Sequence, residues 1–263
     1  MATDRSPQTL GLHSPRLDAV RTLRTRAGRD EQGRFLVEGP TMLAEALAAG
    51  RQIEALYATE RGLAVLRDRD LAVESPVFAI PDRAMERLST VTSPPGLLGV
   101  VAVVSSSLES VLDGSGPVLI LAGVGDPGNA GTLLRSAEIF GISRVIFTPD
   151  AVEPYNPKVI RASMGAIFRQ SIAVVDGSRI RSAAAAAGVE VVAAAADGEP
   201  LQGFAFPQPL AIAIGSERHG VAGSIGACRR RVAVEQFGAG ESLNAAIAGA
   251  IIFYEFSQYA RRR

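Results

Sequence analysis

The apolar and polar positions divide the chain into two halves of different rhythm. In the first half, apolar residues recur at helical spacing over residues 17–27, and Arg34-Phe35-Leu36-Val37-Glu38 forms a short strand pattern entering the turn Gly39-Pro40. Thr41 is placed to cap a helix through Met42, Leu43, Ala46 and Leu47, which Gly50 stops. Residues 53–58 and 76–80 read as strands, with a helix at 62–69 between them. Asp82 caps a helix through Met85 and Leu88, and 97–104 is a nearly unbroken apolar run of strand type. The second half alternates more plainly. Strands are expected at 118–122, 144–148, 170–174, 189–194, 210–214 and 231–234, and helices at 129–140, 156–164, 178–187, 220–228 and 243–259. Such alternation predicts an α/β fold with a mainly parallel sheet and helices on both faces. Ligands of such sheets sit beyond the carboxyl ends of the strands. The serine run Ser105-Ser106-Ser107, followed by Asp113-Gly114-Ser115-Gly116-Pro117, marks a boundary between residues 1–106 and 107–263.

Composition narrows the function classes. A hydrophobic fraction of 47% and a charged fraction of 21% describe a folded globular chain. One cysteine and two histidines leave no framework for a disulfide or a metal site, so no metal is expected. No apolar run approaches the roughly 20 residues a membrane helix needs. The opening residues carry no apolar signal stretch, so the expectation is a cytoplasmic protein without membrane contact. A net charge of +0 argues against bulk electrostatic coating of nucleic acid. Local clustering matters more. Arg16, Arg21, Arg24, Arg26, Arg29 and Arg34 are concentrated near the start, Arg229, Arg230 and Arg231 form a second cluster, and Arg261, Arg262 and Arg263 a third. Each can be a solvated helix face or a phosphate-binding strip, since guanidinium donates paired hydrogen bonds to phosphate. Arg16, Arg21, Arg24, Arg26 and Arg34 are the candidate strip.

Chemistry concentrates in the glycine-rich turns. Gly123-Val124-Gly125-Asp126-Pro127-Gly128 follows a strand and matches the dinucleotide pattern G-x-G-x-x-G. Pro127 removes a backbone N–H where pyrophosphate needs one, and the helix is expected to begin only at about Asn129. No acidic residue ends the next strand, Asp150 being the nearest. The same turn reads differently as Asp126-Pro127-Gly128-Asn129-Ala130-Gly131-Thr132-Leu133-Leu134-Arg135. Asn129 suits a helix N-cap, Gly131 permits close approach of a backbone or ligand, and Arg135, six residues on, is expected to share the face of Asn129. Two further turns stand downstream: Gly215-Ser216-Glu217-Arg218-His219-Gly220 after a strand, and Glu241-Ser242-Leu243-Asn244-Ala245-Ala246 opening the last helix, with Ser242 as its expected N-cap.

These three segments, in this order, resemble the three motifs of the SpoU/TrmH branch of the SPOUT RNA methyltransferases. The resemblance covers the chain from about Val118 onward. It extends more weakly to Arg34-Phe35-Leu36-Val37-Glu38-Gly39 and Pro94-Pro95-Gly96-Leu97-Leu98-Gly99, which are similar to segments of a ribosomal-protein-like substrate domain. It implies a catalytic domain with a deep C-terminal trefoil knot, a smaller N-terminal α/β domain, and methyl transfer from S-adenosylmethionine to a ribose 2′-hydroxyl of structured RNA, most naturally 23S ribosomal RNA. The same chemistry on transfer RNA, or a scaffold that only binds RNA, are the alternatives. Cofactor contacts fall by position on Ala195, Ala196, Gly215, Ser216, Gly220, Val234, Gln236 and Leu243. Asn129, Arg135, Glu217, Ser242 and Asn244 become the catalytic candidates, and a homodimer would bring Arg135 of one copy to the cofactor of the other. Where the family has Ile-Pro-Met ahead of the third motif, this chain has Val234-Glu235-Gln236. A carboxylate turned into the adenine pocket there would favour the binding-only alternative.

Overall fold

The computed structural model describes residues 7–262 except 72, 115 and 241. Residues 1–6, Ser115, Glu241 and Arg263, which entered the sequence reading as the N-terminal segment, linker, third motif and terminal arginine cluster, lie outside the described residues. The chain forms two compact units, the first ending at Val103 and the second beginning at Val104.

In the first unit the elements run Gln8–Thr9 (β1), Pro15–Thr22 (α1), Arg26–Gln32 (α2), Arg34–Glu38 (β2), Pro40–Ala48 (α3), Ile53–Ala58 (β3), Glu60–Asp68 (α4), Val77–Ala79 (β4), Asp82–Leu88 (α5) and Leu97–Ala102 (β5). The sheet order is β1-β4-β3-β5-β2, with β5 antiparallel to both of its neighbours. Leu36, Tyr57, Phe78 and Leu98 pack with Leu17, Val20, Met85 and Leu88 in one core. The single helix expected over 17–27 is two helices. Leu23 turns into the core, and Thr25 starts α2 by accepting the Gly28 N–H at 3.2 Å. Gly28 is required there, because a Cβ would lie 2.2 Å from the Thr22 carbonyl oxygen. Thr41 and Asp82 are not caps. Proline takes the first helical position of α3, which moves the N-cap to Gly39 at φ 86, and Pro81 holds the N-cap of α5.

The second unit contains Leu108–Val111 (α6), Val118–Ala122 (β6), Pro127–Ile139 (α7), Arg144–Phe147 (β7), Pro157–Ser163 (α8), Ala166–Arg169 (α9), Ser171–Val174 (β8), Gly177–Ala186 (α10), Glu190–Pro200 (β9), Leu210–Gly215 (β10), Ala222–Ile225 (α11), Arg230–Ala233 (β11) and Ala245–Arg261 (α12). Its sheet has the order β11-β9-β10-β6-β7-β8, and the strand pairs are parallel. Strands buried on both faces read as continuous apolar runs. Val118, Ile120 and Ala122 of β6 face a core shared with Leu108, Ile180 and Ile225, from α6, α10 and α11. Helices α7, α8, α9 and α12 pack among themselves elsewhere in the unit.

Two elements depart from expectation in ways that shape the site. Strand β9 continues to Pro200 instead of stopping at 194, and it pairs with β11 in two separate registers. Val192 and Ala193 meet Arg230 and Arg231, then Glu199 and Pro200 meet Val232 and Ala233. Residues between those registers leave the ladder. Gly198 allows this crossing, since a Cβ there would lie 2.6 Å from Val232 backbone atoms. The helix expected at 220–228 is the single turn α11, ended by Gly226 at φ 79. No helix among the described residues is long and apolar enough to cross a membrane.

Candidate functional site

At the carboxyl ends of β10 and β11, beside residues 194–196 where β9 leaves its first register, lies a cavity of about 220 Å³. Ile214, Val232 and Ile252 form apolar walls, while Ala194, Ala195, Ala196, Ala245 and Ala248 keep it open by their small size. All eight expected cofactor positions line it: Ala195, Ala196, Gly215, Ser216, Gly220, Val234, Gln236 and Leu243. The turn after β10 is tightly closed. The Gly220 N–H donates to the Ser216 carbonyl at 2.9 Å, and the His219 N–H to Ser216 Oγ at 3.2 Å. A Cβ on Gly215 would lie 2.1 Å from the Gly220 carbonyl carbon, so only glycine fits. A narrow apolar slot with backbone polar groups at its rim suits a flat heterocycle carrying a polar chain, and the residues present therefore fit S-adenosylmethionine. Ile214, Val232, Ala245, Ala248 and Ile252 were not foreseen. They are interior residues by pattern, and only the folding of α12 over the strand ends brings them to the cavity.

Three candidate side chains meet at the mouth. Asn129 Nδ2 donates to Glu217 Oε1 at 2.7 Å, and Asn244 Nδ2 donates to Asn129 Oδ1 at 2.9 Å. Asn244 Oδ1 in turn accepts the N–H groups of Ala246 and Ile247 at 2.9 and 3.3 Å. A directed row therefore runs from the N-terminus of α12 through two amides to the carboxylate. It joins segments that are 88 and 115 residues apart in sequence. Both amides have their oxygen and nitrogen assigned by this row, since a flipped Asn129 would set its Oδ1 against Glu217. Ser242 and Glu217 line the cavity itself.

The cap assignments are corrected. Asp126, not Asn129, caps α7: its Oδ1 accepts the Asn129 N–H at 2.7 Å, and Pro127 takes the first helical position, where no N–H is needed. This frees the Asn129 side chain for Glu217. Likewise Asn244, not Ser242, caps α12. The late helix start held against a dinucleotide loop is therefore absent. Pro127 still withholds an N–H at the helix start, and Asp150, the nearest carboxylate, is engaged by Ser224 Oγ at 2.6 Å. Burial pushes Asp150 up, but the hydrogen bonds from Ser224 and Thr148 outweigh it and hold the carboxyl below its ordinary range. Gly131 serves a helix and not a ligand, because a Cβ there would lie 2.4 Å from Ala162 Cβ of α8.

Arg135 does not share the face of Asn129. Six residues at about 100° each place it roughly 120° around the helix. It is exposed, one turn before Ile139, and Ile139, Ile247, Ile251 and Tyr254 are exposed apolar residues of α7 and α12, whose Phe140 and Tyr254 rings touch edge to face. Glu235 does not line the cavity. Its Oε2 accepts the Gln202 N–H at 3.4 Å, so the chain's departure from Ile-Pro-Met leaves the pocket open.

The arginine candidates separate. Arg29 is buried and donates to the Leu23 carbonyl at 2.7 Å, which makes it structural. Arg16 stands over the Phe78 ring at 4.6 Å, Arg24 donates to the Arg87 carbonyl at 2.8 Å, Arg26 pairs with Asp30 at 3.5 Å, and Arg34 pairs with Glu54. Arg21 is exposed. In the second cluster Arg230 covers the Phe204 ring and Arg231 pairs with Asp197 at 2.5 Å.

Known proteins resemble both units of the chain. Residues 116–254 match the model of the SpoU rRNA Methylase family, and residues 14–99 match the MRM3-like substrate binding domain. The mouse protein named rRNA methyltransferase 3, mitochondrial, is 34% identical over 163 residues, 60% of this chain, and the chain thus spans only 39% of that relative's length. The Bacillus subtilis protein named 23S rRNA (guanosine(2553)-2'-O)-methyltransferase RlmP is 28% identical over 88% of this chain and 92% of its own. The crystal structure of an AdoMet-bound rRNA methyltransferase from Sinorhizobium meliloti superposes with a TM-score of 0.81 at 26% identity, covering 97% of this chain and 98% of that one.

Proposed function

The chain belongs to the SpoU rRNA methylase family, and on that premise we propose that it transfers the methyl group of S-adenosylmethionine to a ribose 2′-hydroxyl of 23S ribosomal RNA. The observation that carries this reading is the row Asn244–Asn129–Glu217 at the mouth of the cavity. Three separate motifs converge on one carboxylate there. The cofactor supplies an electrophilic methyl on a sulfonium when bound. Ala195, Ala196, Gly215, Ser216, Gly220, Val234, Gln236 and Leu243 hold it, and Gly215 keeps the turn close enough for backbone contacts. Glu217 Oε2 accepts the hydroxyl proton, while Asn129 fixes the carboxylate through Oε1. Ser242 orients the ribose from the same rim.

Arg135 acts from a second copy. The exposed apolar stripe Ile139, Ile247, Ile251 and Tyr254 supports a homodimer through α7 and α12. Pairing across that stripe carries Arg135 towards the other copy's site, where its fixed charge steadies the phosphate and the developing alkoxide. A guanidinium stays protonated near neutrality, so Arg135 is not the base. In the first unit Arg16, Arg21, Arg24, Arg26 and Arg34 bind RNA phosphate, a role supported by the substrate-domain match. The names of the relatives favour ribosomal over transfer RNA.

Calorimetric titration with S-adenosylmethionine tests the reading first, followed by radiolabelled methyl transfer to unmodified 23S rRNA transcript. One saturable site per chain and label in 2′-O-methylated nucleoside are expected. A folded chain that binds no cofactor would leave only an RNA-binding scaffold.

A further inference from the structure

Phe237 stands 97% exposed, whereas the next most exposed large apolar side chain among the described residues, Ile139, is 66% exposed and belongs to the α7–α12 stripe. A scattered apolar residue at the surface is ordinary, but a phenyl ring held almost wholly in water is among the costliest to leave uncovered. Its position is specific. Gln236 on one side and Ser242 and Leu243 on the other line the cavity, so Phe237 opens the loop at its rim. Gly238 and Gly240 follow, and a Cβ at either would meet nothing within 4 Å, so neither glycine is packed against the unit. The exposed cation Arg218 sits in the turn between Glu217 and Gly220, both of which line the same cavity.

An exposed aromatic ring and a guanidinium flanking one cleft are the two side-chain types that stack on unpaired nucleobases. Any ribose whose 2′-hydroxyl reaches Glu217 brings its own base, or the adjoining one, to this rim. We propose that Phe237 stacks on an unpaired base of the RNA next to the ribose being methylated, and so helps select an accessible, single-stranded target. The proposal rests on the methyl-transfer reading above. Stacking involves the π-face that every base shares, so Phe237 favours unpaired structure without dictating base identity.

The chain has no tryptophan, so Phe237→Trp installs a single tryptophan at the point in question, which can be excited at wavelengths where tyrosine does not absorb. Titration of that variant with unmodified 23S rRNA transcript is expected to quench its emission, and S-adenosylmethionine alone to leave it largely unchanged. In methyl transfer, Phe237→Ala is expected to raise the KM for transcript about tenfold or more. Its KM for cofactor should be unaffected, and Phe237→Trp should restore the RNA value where Phe237→Leu does not. An unchanged KM for transcript in Phe237→Ala, with normal wild-type turnover, overturns the stacking role. So does a Phe237→Ala protein that loses self-association in sedimentation, because the ring would then cover a second copy. Absence of transfer by the wild-type chain overturns the methyl-transfer reading instead, and the RNA quenching still reports on Phe237.

Discussion

Asn244 carries two separable duties, and substitutions can divide them. Its Oδ1 caps α12 through Ala246 and Ile247, and its Nδ2 holds Asn129 Oδ1 at 2.9 Å. Losing an Asn cap to alanine costs about 1 kcal/mol, within a range of about 0.5–2. The bond to Asn129 is exposed, so its loss adds about 0.5 kcal/mol, the low end for a hydrogen bond. Asn244→Ala should therefore destabilise the second unit by about 1.5 kcal/mol. Asn244→Asp keeps an acceptor at the helix N-terminus, where negative charge is welcome. It has no amide hydrogen for Asn129, and it presents an anion to an oxygen. Its stability should stay within about 0.5 kcal/mol of wild type, while Asn129 releases Glu217 and kcat falls about tenfold, equivalent to about 1.4 kcal/mol of transition-state stabilisation. Urea unfolding and radiolabelled methyl transfer, run on both variants, read the two duties independently. Wild-type turnover by Asn244→Asp would refute the idea that the row orients Glu217. Undiminished stability in Asn244→Ala would show that α12 does not depend on this cap.

Three other outcomes are expected. Arg135→Ala should lower kcat by at least about a hundredfold while leaving calorimetric binding of S-adenosylmethionine intact, as loss of charge stabilisation in the transition state implies; lost cofactor binding would place Arg135 in the pocket instead. Reversing Arg21, Arg24 and Arg26 to glutamate should weaken RNA binding and flatten its dependence on salt, and an unchanged salt slope would move the phosphate site elsewhere. Asp176 caps α10, and hydrogen bonds from the Ser178 hydroxyl and backbone hold its carboxyl below the ordinary value. Because the folded pKa is the lower one, its charged-state contribution is present above the unfolded value near 4 and is lost as pH falls through the folded value. Urea midpoints measured from pH 6 down to pH 2 should fall more steeply for wild type than for Asp176→Asn, whose amide still caps. Parallel curves would show that the carboxylate contributes nothing.

Much of the architecture was legible along the chain. The apolar run at 118–122 became β6 within its expected limits, because a strand buried on both faces needs uninterrupted apolar sequence, and the half-buried 53–58 became β3 within its own. The parallel sheet, and the location of the cavity at the strand ends, follow from the alternation of elements. The eight positions that the family resemblance assigned to the cofactor are among the residues lining the pocket. What the chain did not disclose was how polar groups are shared. Asp126 and Asn129 are both good cap residues, and so are Ser242 and Asn244. Local propensity cannot rank them, because the choice depends on partners far away in sequence. Asn129 is released from capping since Glu217 and Asn244 arrive beside it, and Asn244 can cap and reach Asn129 at once. The same holds for Glu235, whose charge read as a threat to the pocket until Gln202 supplied an N–H on its outer side. Sequence determined which elements form and where a ligand belongs, because periodicity is a local property. Tertiary structure alone decided which oxygen meets which N–H, because a hydrogen bond between segments 88 or 115 residues apart leaves no periodic trace in either.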